Sequence, residues 1–138
     1  MTMPANIFRA RQSMGRIVRG PALVAQDGFS ARYDLDRLAG IFSRPTHKLA
    51  GQSYVGKILI LDTAKGGVAS AWMLNEMTSR RVMPLALVFN SVNPILVQGA
   101  ALADLPMLAG FDQDITAAIP SGCEVEVNPS TGVLTVLK

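Results

Sequence analysis

Two runs, residues 58–61 in GKILIL and 85–89 in LALVFN, are apolar at every position. A strand with one face in water alternates, so an unbroken run signals burial on both faces, as in a parallel sheet covered above and below. Between the runs lies Lys65-Gly66-Gly67, followed by residues 69–80, which are rich in Ala, Met and Leu. That composition favours helix. Trp72, Leu74 and Met77 supply its packing side chains, and Arg80 and Arg81 suit the negative end of its dipole. Strand, helix and strand in this order predict a parallel βαβ centre.

The flanks add to that centre. GRIVRGPALVA reads as a short strand, a Gly-Pro turn and a second strand. NPILVQGAALADL opens with Asn93 as a cap and Pro94 at the first helical position. PMLAGF is a further short apolar strand end, and CEVEVNPSTGVLTVL alternates about a Pro-Ser-Thr-Gly turn as a β-hairpin. Residues 27–53 lack a sustained period, and such a stretch inside a compact domain is often functional. Residues 1–13, with Pro4 and scattered arginines, read as an N-terminal arm, and 14–138 as a single domain. The fold class expected is α/β, a parallel βαβ centre joined to an antiparallel β layer.

Composition narrows the function. Only 17% of the 138 residues are charged and 49% are hydrophobic, which is the balance of a globular chain. The net charge is +3, and the arginines Arg9, Arg11, Arg16 and Arg19 are not interleaved with aromatic residues, so no nucleic-acid partner is expected. No apolar run approaches the roughly 18 residues of a membrane span, and no secretory leader is read at the start, so the expected location is cytoplasmic. The single cysteine, Cys123, excludes an internal disulfide and a multi-cysteine metal site and reads as a structural thiol.

The chemistry centres on the glycine loop. At the carboxyl end of a parallel strand and the amino end of a helix, free backbone N–H groups and glycines let an anion come close. The spacing is not that of a P-loop, and a tight turn that needs glycine dihedrals accounts for the same residues. Ser70 follows in the first helical turn, either as a cap or as a hydroxyl activated by the helix terminus and Lys65. His47, the lone histidine, is either a general base or a hydrogen-bonding element of its loop. Asp34, Asp36, Asp112 and Asp114 read as solvated turn residues, and no metal-ligand cluster is present.

Taken in order, GRIVRGPALV, HKLAGQSYVGKILILDTAKGGVASAWMLNEM, PLALVFNSVNPILVQGAALADLPML, GCEVEV and TGVLTV resemble the small subunit, or swivel domain, of aconitase X. The resemblance spans roughly residues 15–136 and implies a swivelling β/β/α domain that caps a large partner subunit. It implies a hydro-lyase active only with that partner, and an iron–sulfur cluster held by the partner rather than by this chain. The cluster iron would act as a Lewis acid on the departing hydroxyl. Lys65 takes the position of an arginine in the archaeal-type loop, and Gly67 that of its first serine, so the role of base falls on Ser70. Lys65, Gly66 and Gly67 would bind the substrate carboxylate, with Ser30, Arg32 and His47 facing the same cleft.

The Lys-Gly-Gly loop and the SARYDLDR segment look like the bacterial type that dehydrates cis-3-hydroxy-L-proline, and that is the substrate expected. Phosphomevalonate, the substrate of archaeal-type members, is the alternative. Two other readings stand beside it: a non-catalytic subunit that shapes the partner's pocket, and a phosphate-binding module acting alone.

Overall fold

A computed structural model describes residues 7–29, 34–64, 68–92 and 94–137, with the backbone alone for 68–71 and 95–96. The two apolar runs form β6 (Ile58–Ala64) and β7 (Ala86–Ser91), which pair in parallel from Ile58↔Ala86 to Thr63↔Ser91. Helix α1 (Val68–Ser79) joins them, and α2 (Pro94–Leu102) leads to β8 (Met107–Ala109), parallel to β7. On the other side of β6 lies β3 (Val18–Phe29), also parallel. Pro94 does open α2, while Asn93 lies outside the described residues.

The unbroken apolar runs now have their reason. Ile58, Ile60, Ala86, Val88 and Leu108 point to one face, where they pack with Phe8, Val125, Val127 and Leu134. Leu59, Leu61, Leu87, Phe89 and Met107 point to the other, against Leu74 and Met77 of α1, Ala100 of α2 and Ala103 just past its end. Alternate side chains of the same strand therefore serve two cores. Trp72 does not join them: it is 70% exposed.

The second β layer is the expected hairpin, β9 (Glu124–Asn128) and β10 (Val133–Val136). Its link to the parallel layer differs from the sequence reading. Residues 18–29 form one continuous strand, not two strands about a Gly-Pro turn. Val18–Pro21 pair antiparallel with β9, and from Ala22 onward the strand pairs in parallel with β6. Pro21, which has no N–H to give, stands where the strand changes partners. A Cβ on Gly20 would come within 2.5 Å of Leu85 Cδ1, so a side chain there would require the end of Leu85 to shift.

The N-terminal residues are also corrected. Ile7–Arg9 form β1, paired with β10, and Gln12–Met14 form β2, paired with β8, so much of the expected arm is sheet. The strand order β1-β10-β9-β3-β6-β7-β8-β2 puts these two at opposite edges. Yet they are joined by two residues, whose amides also bridge the gap: Ala10 N–H donates to the Gly132 carbonyl and Arg11 N–H to Gly110, each at 2.8 Å. Arg11, Arg16 and Arg19 meet Asp112, Asp104 and Glu126 at 2.5, 3.1 and 2.7 Å, so these three stitch the N-terminal segment to distant acids.

Both long helices end alike. Arg81 (φ 60°) and Asp104 (φ 56°) take the left-handed conformation just past α1 and α2. Val82 N–H donates to Met77 and Arg81 N–H to Thr78; Leu105 and Asp104 repeat the pattern onto Ala100 and Ala101. These are paired Schellman closures built without glycine. Helix α1 thus stops at Ser79, before the two arginines expected in its last turn. The architecture is the expected α/β arrangement: a helical layer, a parallel sheet and an antiparallel β layer.

Candidate functional site at the carboxyl edge of the parallel sheet

Strands β3, β6 and β7 end side by side. Phe29 pairs with Ala64, and Thr63 with Ser91, whose hydroxyl donates to Thr63 Oγ1 at 3.2 Å. Strands β3 and β6 thus end at neighbouring points, Phe29 and Ala64. Ser30, Arg32, Lys65, Gly66 and Gly67 themselves lie outside the described residues. Ser70 is the third residue of α1, a helix of 12 residues that begins at Val68 directly after the glycine loop. Its first turn presents N–H groups without intrahelical partners and the positive end of the helix dipole.

His47 is described in full, and its surroundings are structural. It is buried, stacked on Phe42 with ring centroids 4.6 Å apart. Nε2 donates to the Gly28 carbonyl at 2.8 Å, and Nδ1 accepts the Leu49 N–H at 3.0 Å. This pairing selects the Nε2–H tautomer and occupies both nitrogens. The sequence reading had His47 facing the substrate cleft; in this arrangement it faces the backbone of β3.

Around it lies a charged knot. Asp27 accepts the N–H of Gly28 at 2.7 Å and of Lys48 at 3.0 Å, and Lys48 Nζ donates to the Gln26 carbonyl at 2.8 Å. Arg44 binds Asp34 at 2.5 Å and lies 3.7 Å from Asp27. Burial pushes the Asp27 carboxyl up, but the two backbone donors, His47 and Arg44 outweigh it and hold the group below the usual range. Asp34, read from sequence as a solvated turn residue, is buried. The small ribbon of β4 (Leu35–Asp36) and β5 (Ile41–Phe42) carries the knot, with Asp36 accepting the N–H groups of Leu38 and Ala39.

A second network sits on the opposite face of the same edge. Asn90 donates to Asp62 at 2.9 Å and Asp114 at 2.8 Å, and its oxygen accepts the Ile115 N–H at 3.0 Å. Asp114 caps the short helix α3 (Ile115–Ala118). Hydrogen bonds from Thr116 and Asn90 hold its carboxyl below the usual range. Asp114, expected as a solvated turn residue, is instead this cap, and the Asp-Ile-Thr order carries the capping signal.

Among the described residues no three of His, Cys, Asp and Glu come together, and Cys123 is a lone thiol pushed up by burial and by Glu124. The chain does not fit an iron–sulfur cluster, which takes several thiolates. No helix among the described residues is long and apolar enough to cross a membrane.

Known proteins resemble the chain in sequence and in fold. The phosphomevalonate dehydratase small subunit of Methanosarcina mazei is 27% identical over 131 residues, 95% of this chain and 91% of that one. Its counterpart from Methanothermobacter thermautotrophicus is 29% identical over 114 residues, covering 83% and 87% of the two chains. In fold, the chain is similar to the crystal structure of Thermococcus kodakaraensis aconitase X (holo-form), with a TM-score of 0.88 at 24% identity over 96% of this chain and 98% of that one. Residues 7–136 match the family described as the aconitase X swivel domain, and the chain belongs to it.

Proposed function

We propose that this chain, as the small subunit of an aconitase X-type dehydratase, takes part in converting cis-3-hydroxy-L-proline to pyrroline-2-carboxylate. The observation that carries the reading is the Lys65-Gly66-Gly67 sequence between the end of β6 and the first turn of α1. A carboxylate suits that place: lysine and glycine amides pair with it, and the helix dipole adds to their field. Ser70, in the same turn, is the base. Its alkoxide, favoured by Lys65 and the helix terminus, takes the proton α to the carboxylate.

The electron pair released from that C–H bond forms the Cα–Cβ double bond as the Cβ–O bond breaks; the departing hydroxide takes up a proton from solvent, and the net loss is one water once Ser70 returns its proton to solvent. The enamine product then tautomerises to the cyclic imine. The iron–sulfur cluster that the family resemblance implies belongs, in this reading, to the large partner. Proton transfer and carboxylate binding are the tasks of this chain.

A second substrate has an observation in its favour: the similar subunits from Methanosarcina and Methanothermobacter bear the name phosphomevalonate dehydratase. The test is to produce the chain with its large subunit and offer both compounds to the purified complex. Formation of pyrroline-2-carboxylate is expected. Turnover of phosphomevalonate alone would move the substrate assignment to the second reading.

A further inference from the structure

His47 and Asp27 take no part in the reaction above, yet the structure commits a dense set of contacts to them. The ladder between β3 and β6 is interrupted between Ala25 and Gly28 and resumes at Gly28↔Thr63 and Phe29↔Ala64. At that interruption β3 is held from outside the sheet. His47 grips the Gly28 carbonyl, Asp27 ties Gly28 N–H to Lys48 N–H, and Lys48 Nζ holds the Gln26 carbonyl.

We infer that His47 is a positioning residue of the dehydratase: through the Gly28 carbonyl it sets Phe29 against Ala64, the last residues of β3 and β6, which stand next in sequence to Ser30 and Lys65. It touches no substrate. The inference rests on the functional reading above for its catalytic consequence, while the positioning itself is a property of the fold.

The two ring nitrogens divide the work. Nδ1 accepts the Leu49 N–H and so serves the turn in which His47 sits, whereas Nε2 alone reaches β3. Two substitutions separate them. In His47→Gln an amide N–H extends to the place of Nε2 and keeps the grip on Gly28. In His47→Asn the shorter amide keeps an acceptor for Leu49 and loses β3. Each removes the stacking on Phe42, so a merely structural role makes them equivalent.

The experiment uses the assembled small and large subunits. It reads kcat and KM well below the unfolding temperature, and amide hydrogen exchange at Phe29 and Ala64. For His47→Asn, kcat is expected to fall at least about 10-fold, since small misplacements are costly in catalysis. Exchange at the two amides should rise by a similar factor. For His47→Gln both should stay within about 3-fold of wild type. Equal effects of the two variants on exchange and kcat overturn the inference. A raised KM at unchanged kcat overturns it too, in favour of direct substrate contact.

Asp27→Asn, a gentler change, covers the case in which His47 variants do not fold. It should lower kcat by about 3- to 10-fold and speed exchange at Phe29, and unchanged exchange there overturns the inference. A wild-type complex inactive on both substrates, with exchange that still separates Gln from Asn, removes the substrate reading and leaves the positioning intact.

Discussion

Phe29 and Ala64 stand opposite each other as the last paired residues of two adjacent parallel strands. Everything in the candidate site follows from that pairing. Sequence positions more than thirty apart leave the sheet next to one another, and the helix that follows one of them starts within four residues. Strand ends arranged in this way are where open α/β sheets gather ligands.

Ser70→Ala is the direct probe of the chemistry. With Ser70 as base, kcat of the assembled enzyme should fall at least about 100-fold. Co-elution with the large subunit should be unchanged on gel filtration. A near-normal kcat with altered KM would instead describe a subunit that only shapes its partner's pocket.

Tyr54, in the 34–55 segment, is fully buried in the core, and its hydroxyl has no hydrogen-bond partner among the described residues. Tyr54→Phe should therefore stabilise the chain by about 1 kcal/mol, read as a higher midpoint of thermal unfolding. The substitution also has a pH signature. Burial pushes the phenol up to about 12 from 10.0, so the unfolded chain loses this proton first and stability falls as the pH rises between those values. Tyr54→Phe should remove that part of the alkaline loss.

Gly15 lies between β2 and β3 at φ +100°, with the Cα of Pro106 only 2.7 Å from where a Cβ would stand. Both the dihedral and the space exclude a side chain. Gly15→Ala should cost about 2–4 kcal/mol, measured by urea denaturation.

Arg81→Gly should act in the opposite direction. Arg81 holds the left-handed position that closes α1 at φ 60°, and its side chain is exposed. Glycine relieves that conformation and keeps the backbone hydrogen bonds, for a gain of about 1 kcal/mol in the same measurement.

How far the sequence disclosed this structure depends on the range of the forces involved. Strands β6 and β7 are legible because burial on both faces leaves an unbroken apolar run, and the last hairpin is legible because burial on one face leaves alternation. Strands β1 and β2, each three residues long, carry no such period; they are strands because β10 and β8 wait for them far along the chain. The Gly-Pro pair reads locally as a turn, and only the change of partner from β9 to β6 explains a proline inside a strand.

The site shows the same division. A loop of lysine and glycines before a helix is a local pattern. The burial of His47 and Asp34 is not, because it is created by Gly28, Phe42 and Arg44 closing around them. Nor does the sequence reveal that Arg11 and Arg16 answer to Asp112 and Asp104.

The two-residue link between β1 and β2 bears on how the protein is made. Ile7 finds its partner in Thr135, so the earliest described strand leaves the ribosome long before the strand it needs. Until then its edge partner is missing, and that margin of the sheet stays open. Long-range pairing of this kind is slow to form and exposes strand edges meanwhile. Closure of the domain thus waits for β10, when one short link comes to join two distant strands of the sheet.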